Sequence, residues 1–203
     1  MLRIKKHMLD FGERHKSIVQ RNSMIAEGMP RPNSWVLDVG SNTGATGNYL
    51  SERGHIVVGV EKMENEYRES LRRAHHQAAF ICHGVTPDFI LNAPDWHSIL
   101  LLSVLHRLYA FEGEAFMRDV LLACSKKTDN LFIEGSTRHA RYVDQKEIAP
   151  AFEDLDIPSA NAWHQDLFKS VLGPEWNVPD GKPLACSEAE PFRLFYHLRR
   201  AQS

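Results

Sequence analysis

Apolar positions in this chain come in short runs set apart by charged stretches. Five such runs, residues 35–39, 55–60, 79–82, 98–104 and 130–133, are each too short for a stable helix and almost continuously apolar. That pattern suits strands covered on both faces. Between them, residues 45–53, 65–77, 88–91 and 113–123 carry helix-favouring residues with apolar positions on one side, as with Phe116, Val120 and Leu121. Strand, helix, strand in this order predicts parallel pairing through right-handed crossovers.

The flanks read differently. Residues 2–27 predict one or two amphipathic helices broken around Gly12 and ended by Gly28, Pro30 and Pro32. Their basic residues Lys5, Lys6, His7, Arg14, His15, Lys16 and Arg21 form either a solvated face or a lid and substrate anchor. After Gly135 the chain turns polar over 136–159, then predicts a helix over 162–172. Two last strands, 176–178 and 192–198, can pair as an antiparallel hairpin around Pro179, Gly181 and Pro183.

Composition changes this picture little. A chain of 203 residues with 43% apolar residues can form a single core. A formal charge of -2 gives no overall attraction to nucleic acid. Cys82, Cys124 and Cys186 are odd in number and unpaired in spacing, which fits a reducing compartment. No secretory leader or membrane span is visible, so a cytoplasmic location is expected.

Chemistry concentrates at residues 36–44, Val-Leu-Asp-Val-Gly-Ser-Asn-Thr-Gly, a strand running into a glycine-punctuated loop and then a helix. Backbone N–H groups there can approach an anionic or polar ligand closely. Glu61 ends the second strand, near the spacing of about 20 residues at which a carboxylate accepts ribose hydroxyls. Together these define a nucleotide-type pocket.

Two families share such a pocket. Residues 42–47 fall one residue short of the dinucleotide fingerprint G-x-G-x-x-G, which leaves a nicotinamide-dependent oxidoreductase as an alternative. The chain more closely resembles the class I S-adenosylmethionine-dependent methyltransferases. Residues 36–44 resemble their D-x-G-x-G-x-G motif with Asn42 at the middle glycine. Residues 57–61 (Val-Val-Gly-Val-Glu) resemble the second motif, 100–108 (Leu-Leu-Leu-Ser-Val-Leu-His-Arg-Leu) the fourth-strand motif, and 131–135 the fifth strand. The likeness covers residues 34–135 and, more loosely, 192–198.

That resemblance implies a doubly wound, Rossmann-like α/β fold: a seven-stranded, mostly parallel sheet with an antiparallel final strand and helices on both faces. It implies one domain, with an N-terminal helical cap (1–33), a cofactor-binding half (34–135) and a substrate-side insert with closing hairpin (136–203). The implied cofactor is S-adenosyl-L-methionine. Asp38 would neighbour its amino group, and Gly40, Ser41, Asn42 and Gly44 would wrap its carboxylate and ribose. Glu61 and Lys62 would hold the ribose, Gly84 and Val85 would lie by the adenine, and Ser103 and Val104 would line the fourth-strand side. An adenine-binding aspartate after strand three is missing, leaving a backbone carbonyl or Asp88 for that task.

Methyl transfer needs alignment and, for a protonated nucleophile, a base. His106, just beyond strand four, and Glu134, at the end of strand five, are the candidates; packing roles for both stay open. His75, His76 and His83 lack convergent ligand spacing, and Ser103 stands where metal-dependent relatives need a carboxylate, so no metal is expected. No N-P-P-Y or D-P-P-Y follows strand four, as in DNA-amino methyltransferases, and no Pro-Cys pair offers a cytosine-C5 thiolate; residues 103–107 lack the paired glutamates of protein-arginine methyltransferases, and Ser103 stands where ribose 2'-O enzymes have an aspartate. A small-molecule or saccharide-like acceptor methylated on oxygen, or else nitrogen, remains, with RNA as an alternative. Arg138, His139, Arg141 and Tyr142 could clamp an acidic or phosphorylated acceptor.

Overall fold

A computed structural model describes residues 17–136, 156–184 and 193–201. Helix α1 covers residues 17–27. There follow β1 (Trp35–Val39), α2 (Ala45–Ser51), β2 (Ile56–Glu61), α3 (Glu64–Arg73), β3 (Ala78–Cys82), α4 (Pro87–Asn92), β4 (Ser98–Leu102), α5 (Leu105–Glu112), α6 (Glu114–Ser125) and β5 (Asn130–Ser136). The last described elements are α7 (Ile157–Leu172), β6 (Trp176–Asn177), β7 (Lys182–Pro183) and β8 (Arg193–Arg200).

The strands form one sheet in the order β3-β2-β1-β4-β5-β8-β6, with β7 also on β8. β1 to β5 are parallel to one another, and β8 is antiparallel to β5. β6 pairs with the end of β8 through Trp176↔Arg200, and β7 with its beginning through Pro183↔Leu194. The expected closing hairpin is therefore present, with its outer strand in two pieces. Pro183 suits such an edge, since proline has no N–H to give to a ladder.

Strand periodicity divides the core. Leu37, Val39, Ile99, Leu101, Leu131 and Ile133 pack on one face with Met117, Val120 and Leu121 of α6 and Phe168 of α7. Val36, Val57, Leu100, Phe132 and Phe195 pack on the other with Ile25 of α1 and Leu50 of α2. Because alternate residues point to opposite faces, Asp38, Glu134 and Arg193 share the α1/α2 side with Val36, Phe132 and Phe195. One face of the sheet thus gathers Asp38, Glu134 and Arg193, with Glu61 of β2 in the same parity as Val57, at the strand ends where α1 and α2 lie.

Local chemistry sets several boundaries. Thr86 caps α4 by accepting from Phe89 N at 3.1 Å, with Pro87 in the first turn. Asp156 caps α7 by accepting from Ser159 N at 2.8 Å. α7 begins ahead of the expected 162–172, and β4 stops at Leu102 instead of running on to Val104. α5 was not expected as a helix. Leu105, Leu108 and Tyr109 put a helical apolar stripe onto the core, and Gly113, at φ +91°, separates it from α6. Among the described residues no helix is long and apolar enough to cross a membrane.

Candidate functional site

Three loops meet at the C-terminal ends of the parallel strands, where open α/β sheets form their ligand crevice. The β1–α2 loop is built from left-handed backbone at Gly40 (φ +68°), Asn42 (φ +50°) and Gly44 (φ +75°). Asparagine tolerates that region better than other side chains, which accounts for its place in the pattern. A Cβ at Gly44 would fall 2.5 Å from Cζ of Phe80, so this glycine provides both the turn and the close approach to β3.

Glu61 fastens this loop. Its Oε2 accepts from Asn42 N at 2.9 Å and its Oε1 from Met63 N at 2.8 Å. Gly40 N and Ser41 N both donate to Val60 O, at 2.8 and 3.1 Å. Each carboxylate oxygen has two lone pairs, so Glu61 can hold the loop and still accept from a ligand hydroxyl. Lys62 beside it is exposed, with Nζ 5.6 Å from the ring centre of Phe111.

Asp38 lies beneath the loop, 2% exposed. Burial pushes its carboxyl up to about 7, against the Arg21 guanidinium, which lowers it, while Glu61 raises it further. A carboxyl held near neutrality in this way is poised to ionise when a cation arrives. Among the described residues the buried Ser41 Oγ has no hydrogen-bond partner. A desolvated carboxyl, an unpaired hydroxyl and a glycine turn together fit the ammonium and polar tail of an amino-acid-bearing nucleoside.

The β4–α5 loop faces this turn. Ser103 has φ +59°, and Val104 Cγ2 sits 2.9 Å from where a Cβ on Gly40 would be. Ser103 N donates to Glu134 O at 3.2 Å, and Ser103 Oγ also donates to Glu134 Oε1. Gly84 and Val85 follow β3, with Val85 packed against the core and Gly84 open to addition of a Cβ. A shallow depression beside them is lined by His83, Thr86, Asp88, Phe89, Asn92 and Ala93. It lies on the α4 side and includes Asp88.

Glu134 is the hub of the polar network. Arg21 Nη1 donates to its Oε2 at 2.6 Å, and Arg193 Nη1 donates to Oε1 and to Ser103 Oγ. Arg21 Nη2 also donates to Thr46 Oγ1 at 2.9 Å, and Thr46 Oγ1 to Asn22 Oδ1 at 3.1 Å. Burial alone would raise this carboxyl, yet the two guanidiniums and the Ser103 hydroxyl hold it at about 2. Of the residues around Glu134, sequence reasoning names Arg21 as part of a basic segment, a solvated face or a lid and substrate anchor, and misses Arg193, Thr46 and Asn22. A signal for Arg193 is its parity with Phe195 on the closing strand. Of the basic N-terminal segment only Arg21 is described, and it is turned inward.

His106 lies in the first turn of α5, 8% exposed, with Nδ1 buried and, among the described residues, unpartnered. Burial, then the Arg193 and Arg107 guanidiniums, lower its pKa to about 3, so the imidazole is neutral at physiological pH. The structure therefore brings Asp38, the 40–44 loop, Glu61, Ser103, Val104, His106 and Glu134 to one end of the sheet. Arg138, His139, Arg141 and Tyr142 lie outside the described residues. Among the described residues no three His, Cys, Asp or Glu side chains group as a metal set.

Strand order and loops together define the class I S-adenosylmethionine-dependent methyltransferase fold. Magnesium protoporphyrin IX methyltransferase from Synechocystis, solved with bound SAM, superposes with TM-score 0.68 at 12% identity, over 94% of this chain and 83% of that one. The N-methyltransferase NodS from Bradyrhizobium japonicum gives TM-score 0.64 at 14% identity, over 92% and 97% of the two chains. The [4+2]-cyclase SpnF also shares the fold, with TM-score 0.62 at 10% identity over 91% and 82%. No protein-family model matches the chain. No curated protein matches it either. The fold is thus clear, while the cyclase shows that fold alone does not fix the reaction.

Proposed function

We propose that this chain is a methyltransferase that binds S-adenosyl-L-methionine and methylates a small-molecule or saccharide-like acceptor, on oxygen in preference to nitrogen, without a metal. The observation that carries the reading is Asp38: a buried carboxyl at about 7, under a left-handed glycine turn that Glu61 ties down. Solved structures of the same fold hold SAM or S-adenosylhomocysteine, including the Burkholderia thailandensis 1,6-didemethyltoxoflavin-N1-methyltransferase at 15% identity and TM-score 0.64, covering 92% of this chain and 79% of that one.

In this reading Asp38 faces the cofactor's ammonium group, Gly40, Ser41, Asn42 and Gly44 surround its tail and ribose, Glu61 and Lys62 serve the ribose, and Gly84 and Val85 border the adenine. The cofactor supplies a methyl group already carried on a good leaving group. What remains for the protein is alignment and exclusion of water. Ser103 and Val104 narrow the crevice from the β4 side. Glu134, ionised and held by two arginines, is a positioning residue that fixes Ser103 and α1. His106 serves as a neutral hydrogen-bonding group, because an imidazole at about 3 does not take up a proton near neutrality. With no base assigned, the oxygen that suits such a mouth is one already deprotonated, a carboxylate or a phosphate carried by the small molecule or saccharide, so that methyl transfer leaves no proton to remove.

Titration calorimetry of the full chain with S-adenosylhomocysteine and, separately, with NADH tests the cofactor. Micromolar binding of the former alone is expected. Binding of NADH alone would refute the methyltransferase reading in favour of a dinucleotide enzyme.

A further inference from the structure

Resting on the methyltransferase reading, we propose that Arg193 is the specificity residue of the acceptor site, docking an oxyanion, carboxylate or phosphate, that the acceptor carries. The argument begins with charge. Two guanidiniums, Arg21 and Arg193, contact a single carboxylate, Glu134, and each uses a different oxygen. Arg21 is the inner cation, with its side chain 13% exposed, and Glu134 is 3% exposed, so the inner pair is already a closed unit. Arg193 is 36% exposed and caps that pair from outside. The two guanidiniums carry two positive charges against the single negative charge of Glu134, and an anionic group on the acceptor would balance the excess.

Position supports the same conclusion. Arg193 is in register with Ser136 at the last pair of the β5–β8 ladder, the end of the sheet where the crevice opens. Among the described residues both of its hydrogen bonds are made by Nη1. Its Nε and Nη2 edge has the planar fork that matches an oxyanion through two parallel bonds. Among the described residues the buried Nδ1 of His106, on the neighbouring α5, has no hydrogen-bond partner.

Calorimetric titration of inorganic phosphate and, in a separate arm, acetate into the full chain saturated with S-adenosylhomocysteine, at constant ionic strength, tests this. Saturation occupies any subsite for the cofactor's own carboxylate, so the anion measured is the acceptor's. Millimolar binding of at least one anion is expected, weakened about tenfold or more in R193Q, the worth of one charge-assisted bond, with homocysteine-nucleoside affinity kept within about twofold. The tighter arm separates a phosphate-bearing acceptor from a carboxylate. No anion binding by the wild type, or equal binding by R193Q, overturns the proposal and leaves the cofactor reading intact. Failure of the wild type to bind S-adenosylhomocysteine overturns both. Should R193Q lose the nucleoside too, R193K decides. It keeps the charge without the fork, so a weakened anion affinity supports the assignment and an unchanged one refutes it.

Discussion

Arg21 reaches Glu134 across 113 positions of sequence, Nη1 to Oε2 at 2.6 Å, and so locks the N-terminal helix to the fifth strand. Both side chains are largely withdrawn from water, which makes this pair unlike the exposed Arg68–Glu64 pair on α3. Removing one partner of a buried pair leaves the other uncompensated and typically costs roughly 3–5 kcal/mol. Arg193 also faces Glu134, so R21M is expected at or below the lower end, about 2–3 kcal/mol. Urea denaturation at pH 7 measures it, and a loss under about 0.5 kcal/mol, the scale of a surface pair, would refute the lock.

The same carboxylate predicts an acid limb. Its folded pKa is depressed to about 2, below the ordinary 4.5. The stability it contributes is therefore complete above about 4.5 and is lost as pH falls towards 2. In E134Q the wild-type slope between those values should flatten, as followed by thermal melts across that range. An unchanged slope would show that other carboxylates dominate acid unfolding.

Asp38 predicts the opposite sign. Its folded pKa is raised from 3.8 to about 7, so the folded protein without ligand binds this proton more tightly than the unfolded chain. Its contribution to stability is fully present below 3.8 and is lost as pH rises to about 7. D38N should thus raise the Tm of the ligand-free protein at pH 8 and leave it nearly unchanged at pH 4. It should also weaken S-adenosylhomocysteine binding by about tenfold or more, since a charged hydrogen bond is lost. A variant both less stable at pH 8 and unimpaired in binding would remove Asp38 from the site.

The loop separates three glycine-pattern positions. G44A meets Phe80 at 2.5 Å and a positive φ, so about 2–4 kcal/mol of destabilisation is expected from overpacking plus left-handed strain. N42G already has the right backbone region and should shift stability by only a few tenths of a kcal/mol. Gly40→Val meets Val104 and should weaken cofactor binding more than N42G does. Equal effects of the three on binding would mean that the turn does not shape the pocket.

The five parallel strands and the glycine turn could be read in the sequence because they depend on local pattern: apolar runs of strand length, and glycine where φ is positive. α5 could not. Its stripe of Leu105, Leu108 and Tyr109 is too short to stand out beside the most apolar strand of the chain. Nor could the Arg21–Glu134–Arg193 cluster, since nothing local to residue 21 or 193 tells which charge it will meet after the sheet is assembled. Glu134 was identified as a site residue but not what surrounds it, and those surroundings decide that it is ionised at every working pH.

His106 supplies the last test. At about 3, with Nδ1 buried and unpartnered, it has no proton-accepting role at neutral pH, so the pH profile of methyl transfer should show no limb near its ordinary 6.5. H106N keeps a polar group of similar reach and no titration. If the imidazole only hydrogen-bonds, H106N should retain kcat within about tenfold, the scale of one neutral hydrogen bond, with any loss mainly in acceptor KM. If instead H106N abolishes a limb near 6.5 and lowers kcat by the 10²–10⁴-fold typical of a lost general base, His106 takes the acceptor's proton, and its pKa must rise when the acceptor binds.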